Sequence, residues 1–78
     1  MFNLVLGYYN RMDRFYVRLK ELRIEKGLMQ SELASRLNVN QRTISNWEKN
    51  VREPNIDMII RIAQFFEVST DYLLGVVD

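Results

Sequence analysis

Three residues, Asn38, Val39 and Asn40, separate two short stretches whose apolar residues recur at helical spacing. Before the break, Leu33, Ala34 and Leu37 form the inward stripe of a helix over Gln30–Leu37. After it, Ile44 and Trp47 anchor a helix from Gln41 to about Lys49. A connection this short makes the second helix cross the first steeply instead of running on or folding back flat. The break has the chemistry the turn needs. Asn38 tolerates the left-handed conformation, so it can turn the chain without a glycine. Asn40 is a good N-cap, and Val39 and Ile44 sit where a hydrophobic staple would hold the new helix. Both helices are too short to stand alone, so the rest of the chain must cover their apolar sides.

The flanking sequence supplies that cover. Asp13 can cap a first helix in which Phe15, Leu19 and Leu22 make one stripe, and Gly27 closes it. The cap position of the Gln30 helix falls on Met29, which cannot accept the free N–H bonds. Glu32, at the third helical position, still suits the helix dipole. Asn50 can end the Gln41 helix in the left-handed conformation. Asn55, just after Pro54, caps a fourth helix, and Ile56, Ile59, Ile60, Ala63 and Phe66 are its expected core stripe. Ser69 caps a short last helix through Tyr72, Leu73 and Leu74, closed by Gly75. The expectation is an all-α chain of five helices over residues 13–75. An N-terminal arm or extension (1–12) precedes it, and a C-terminal tail (76–78) follows. Two readings of residues 1–12 stay open: an arm that pairs with Gly75–Val77 or with a dimer mate, and a flexible extension.

Composition removes whole classes of function. There is no cysteine and no histidine among the 78 residues, so a disulfide, a thiolate or imidazole metal site and a histidine-based triad are all excluded. Nothing suggests an enzyme or calls for a cofactor. No apolar run approaches a membrane span, and the apolar start lacks a basic flank for export, so the expected compartment is the cytoplasm. The net charge of +1 looks uninformative. It divides after Arg52, however: residues 1–52 hold ten basic and five acidic residues, and residues 53–78 hold one basic and five acidic. A +5 part joined to a −4 part suggests a polyanion partner on one side only.

The helix after the turn carries the sharpest chemistry. With Ile44 and Trp47 inward, Gln41, Arg42, Ser45 and Asn46 point outward and Thr43 sits at the edge. Arg pairs bidentately with guanine, Asn and Gln with adenine, and Thr offers a hydroxyl and a methyl. The first two turns carry no acid, although exposed helices usually do. Two short helices about a tight turn form the layout whose second helix enters the major groove of duplex DNA.

From Leu19 to Leu74 the chain resembles the phage repressor/Cro-type, or XRE-like, helix-turn-helix family. The resemblance rests on Gln30-x-x-Leu33-Ala34, Thr43-Ile44-Ser45-x-Trp47-Glu48 and Asp71-Tyr72-Leu73-Leu74-Gly75, with Leu22-Arg23, Gly27-Leu28, Pro54, Ala63 and Phe66 between and around them. Met29, Asn38 and Asn50 stand where the family usually has a Ser or Thr cap, a turn Gly and a further Gly. The resemblance implies a five-helix, lambda-repressor-like DNA-binding domain acting as a transcriptional regulator, with repression the expected mode. It also implies that Gln41, Arg42, Thr43, Ser45 and Asn46 contact bases, and that Gln30, Asn40, Lys49, Asn50 and Arg52 contact phosphates. Arg23 and Glu48 resemble the family's internal ion pair.

Apolar residues are left over once one small core is filled. Val17, Ile24, Met58, Ile62, Phe65, Val76 and Val77, with Phe2, Leu4, Val5 and Leu6, are the expected dimer surface. The expected partners are a double-stranded operator and a second copy of the chain. The alternative is an antitoxin or immunity-type regulator whose main partner is another protein.

Overall fold

A computed structural model describes residues 13–78, and residues 1–12 lie outside the description. The arm expected there, and its apolar Phe2, Leu4, Val5 and Leu6, are therefore outside the described residues. Five helices follow in order: α1 Asp13–Glu25, α2 Gln30–Leu37, α3 Gln41–Glu48, α4 Ile56–Phe66 and α5 Thr70–Leu74. No strand occurs among the described residues. The most extensive helix contact is between α2 and α3, across the three-residue turn.

One core serves all five helices. Phe15 and Leu19 enter it from α1, Leu33, Ala34 and Leu37 from α2, and Ile44 and Trp47 from α3. Ile59, Ile62 and Ala63 come from α4 and Leu73 from α5. Burying a Leu, Ile or Phe side chain contributes roughly 1.5–3 kcal/mol each. These residues therefore set the angle at which α3 is presented.

The stripe on α4 differs from the expected one. Ile62 is fully buried, whereas Ile56 is 77% exposed and Ile60 42% exposed. Met58 and Phe65, expected on a dimer surface, pack against the core instead. Phe65 also lies edge-on to Phe66, with Lys26 Nζ 5.3 Å and the Arg36 guanidinium 5.9 Å from its ring centre. The cause is composition. Seven of the eleven residues of Ile56–Phe66 are large and apolar, so several stripes fit the same sequence. The inward face is chosen by what α4 packs against.

Every helix ends in the same backbone turn. One residue takes positive φ and donates three residues back, and the residue after it donates five back. Gly27, Asn38, Asn50, Glu67 and Gly75 fill that position. Gly75 is further constrained, because a Cβ there would collide with the Arg14 side chain. Side-chain caps start α3, α4 and α5 from Asn40, Asn55 and Ser69. At α2 the Met29 side chain makes no cap bond, and Glu32 Oε1 reaches back to accept from Met29 N at 2.7 Å. Asp13 is the first described helical residue, and its role as a cap lies outside what the structure describes.

Two arginines of α1, Arg14 and Arg18, are engaged by the end of the chain. The Arg18 side chain is 12% exposed and stacks 4.1 Å from the Tyr72 ring centre. Its guanidinium donates to the carbonyls of Tyr72 and Val77. Arg14 Nη1 donates to Asp78 Oδ1 at 3.1 Å. The segment after α5 is thereby tied to α1. Arg61 on α4 donates to the Leu37 carbonyl at 2.8 Å, satisfying a free acceptor at the end of α2 just before the turn.

Candidate nucleic-acid interface

The outer side of α3 and the first residue of α2 form one open concave surface. Gln30, Gln41, Arg42, Ser45, Asn46 and Lys49 line it. The sequence brings them together for a simple reason. Ile44 and Trp47 turn inward, so helical geometry sends residues 41, 42, 45, 46 and 49 to the other side. The three-residue turn then sets the start of α2 beside the start of α3. A second groove adjoins along Arg42 and Asn46. It includes Asn40, Thr43, Arg52 and Asn55, and is lined as well by Val39 and Met58, which pack against the core. Nine of the ten residues expected at a DNA interface line one groove or the other. Asn50 lines neither; it is exposed at the positive-φ end of α3.

Hydrogen bonds already fix several of these side chains. Asn40 Oδ1 accepts from Thr43 N and from Thr43 Oγ1, both at 2.8 Å. The Asn40 oxygen is thus occupied, and its NH2 group remains free to donate. The Thr43 hydroxyl has committed its proton and can only accept further bonds. No acid stands in the first turn of α3, so its N-terminal dipole is unopposed by a carboxylate there.

Behind this surface lies the ion pair expected between Arg23 and Glu48. Arg23 Nε donates to Glu48 Oε2 at 2.6 Å and Nη2 to Oε1 at 3.0 Å, a bidentate pair joining α1 to the end of α3. Arg23 Nη1 also donates to the Leu28 carbonyl at 2.8 Å. Glu48 is 8% exposed, and no buried side-chain polar atom among the described residues lacks a partner. Two further bonds could not be read from the sequence. Gln30 Nε2 donates to Glu48 Oε1 at 3.1 Å, and Gln41 Nε2 donates to Gln30 Oε1 at 3.5 Å. Sequence pattern marks each of these residues singly, but the links need the turn angle.

Two helices about a three-residue turn, with a polar and basic outer side on the second, define a helix-turn-helix DNA-binding domain. Comparison with known proteins agrees. A family model described as helix-turn-helix matches residues 19–73, and the chain belongs to that family, in its phage repressor/Cro-type branch. The HTH-type transcriptional regulator ImmR of Bacillus subtilis (strain 168) is 43% identical over 58 residues, covering 74% of this chain and 46% of ImmR. The HTH-type transcriptional activator BcrR of Enterococcus faecalis is 40% identical over 61 residues, covering 78% of this chain and 30% of BcrR. The crystal structure of a transcriptional regulator from Listeria innocua superposes with a TM-score of 0.76 at 36% identity, covering 82% of this chain and 60% of that one. The matched part spans about half or less of the length of these two curated relatives.

Proposed function

We propose that the chain is a sequence-specific reader of double-stranded DNA that regulates transcription by occupying an operator. The observation that carries this reading is the single surface formed by Gln30, Gln41, Arg42, Ser45, Asn46 and Lys49, built on an α3 anchored in the core. In this reading α3 lies in the major groove. Arg42 pairs with guanine, Gln41 and Asn46 pair with adenine, and Thr43 and Ser45 contact adjacent base edges. Gln30, Asn40, Lys49, Asn50 and Arg52 hold the phosphates on either side and fix the register. The free NH2 of Asn40 supports its part, because a phosphate only accepts. Occupancy alone represses when the operator overlaps a promoter, so no chemical step and no cofactor is required. A duplex reader works where the genome is, which is the cytoplasm in bacteria such as those of the relatives.

The reading includes a homodimer. Val17, Ile24, Ile56, Ile60, Val76 and Val77 are all exposed apolar residues. A two-fold pair would read half-sites one helical turn apart, about 34–36 Å. Selection of bound sequences from a random duplex pool tests the reading. It should return a palindrome whose affinity falls with salt at a log–log slope near −0.9 per phosphate neutralised. Recovery of no preferred sequence would overturn it. Gel filtration at micromolar concentration should give the mass of two chains. A monomer there would favour the alternative in which the exposed apolar residues meet a different protein.

A further inference from the structure

The polar surface is joined to the core by a chain of hydrogen bonds with a fixed direction. We infer that Glu48, although it faces away from the groove, sets the base preference of Gln41 and is a positioning residue for sequence readout. The inference rests on the DNA-reading function proposed above.

The direction follows from donor and acceptor chemistry. A carboxylate only accepts hydrogen bonds. Glu48 takes two N–H groups from Arg23 and a third from Gln30 Nε2 at 3.1 Å. Gln30 must therefore turn its NH2 group towards Glu48, which leaves its oxygen on the other side. That oxygen meets Gln41 Nε2 at 3.5 Å, a long bond in the free protein. Gln41 then keeps one N–H and its oxygen for the groove, in a fixed order. Adenine presents N7 as acceptor and N6–H as donor, so a fixed order selects adenine in one register. An amide free to turn over would present donor and acceptor in either order and discriminate less.

Tying α1 to α3 needs only the two bonds from Arg23. The third bond points towards the groove and is the one with a consequence for readout. Arg42 lies on the same surface but takes no part in the chain, so its base position is an internal control.

The test selects bound duplexes from a random pool with five proteins: wild type, Gln41→Ala, Arg42→Ala, Glu48→Gln and Gln30→Leu. The two alanine variants locate the operator positions read by Gln41 and Arg42. In Glu48→Gln an amide replaces the carboxylate. It can still accept from Arg23 but no longer dictates the orientation of Gln30. The expected result is a roughly tenfold loss of adenine preference at the Gln41 position, with the Arg42 position retained. Gln30→Leu leaves the ion pair intact and removes the link; its lost phosphate contact weakens all duplexes alike, and the selective loss at the Gln41 position should appear on top of that. If circular dichroism shows Glu48→Gln unfolded, the double variant Arg23→Met with Glu48→Leu, which removes both buried charges together, takes its place and should give the same loss at the Gln41 position. An unchanged Gln41 position, or equal flattening of every position, in folded variants would overturn the inference while leaving DNA reading intact. Failure of the wild type to select any sequence would overturn both.

Discussion

Helices α3 and α4 are built from opposite compositions, and the contrast separates what a helix needs to be placed from what it needs to act. Helix α3 has two large apolar anchors, Ile44 and Trp47, in eight residues. Its inward side has one solution, and everything else is released for polar contact. Helix α4 has seven large apolar residues in eleven. It can be buried on several sides, and its outward residues Ile56 and Ile60 are apolar. A sparsely anchored helix is well placed to read a polar ligand. A densely apolar one serves the core and leaves apolar residues on its outer side.

The largest expected effect breaks α4 on its buried side. Ile62→Ala removes side-chain atoms from a site with no solvent exposure and should cost about 2–5 kcal/mol of unfolding free energy in denaturant titration. A cost below about 1 kcal/mol would mean that Ile62 faces outward and that the expected stripe was correct after all. Next comes the working side of α3. Arg42→Ala should relax base preference at one operator position by about 1–3 kcal/mol. Lys49→Ala should instead weaken all duplexes alike and reduce the salt slope by about 1. Equal losses on every sequence for Arg42→Ala would remove its base-reading role.

A smaller effect compares the two helix ends. Glu67 ends α4 at φ 58, and Asn38 and Asn50 hold the same conformation at the ends of α2 and α3. Asn adopts that region readily, whereas Glu adopts it at a steric cost. Glu67→Gly should raise stability by about 0.5–1 kcal/mol, whereas Asn38→Gly should change it less. Thermal unfolding of the two variants side by side measures the difference. The smallest effect is on the outer side of α4. Ile56→Ser should leave unfolding within about 0.5 kcal/mol of wild type at concentrations where the chain is monomeric.

The same contrast explains what could be read from the sequence. All five helices and four of the five positive-φ positions were legible, because Gly27, Asn38, Asn50 and Gly75 are residues that tolerate the conformation. Glu67 carries no such chemical mark; the backbone turn imposes the conformation on it. The inward side of α3 was legible because only two residues competed for it, and that of α4 was not because seven did. The Arg23–Glu48 pair was legible from resemblance. The bonds from Glu48 to Gln30 and from Gln30 to Gln41 depend on the angle between α2 and α3, which no local pattern encodes. Arg18 reads as surface because its partners are two backbone carbonyls and a ring more than fifty residues away.

In the proposed function the outer side of α3, with the start of α2, is the surface that meets duplex DNA. Amide and side-chain NMR shifts of labelled protein, titrated with the duplex recovered by selection, test it most directly. The largest perturbations are expected at Gln30, Gln41, Arg42, Asn46 and Lys49. A titration in which the duplex binds while those five signals stay unperturbed would contradict it.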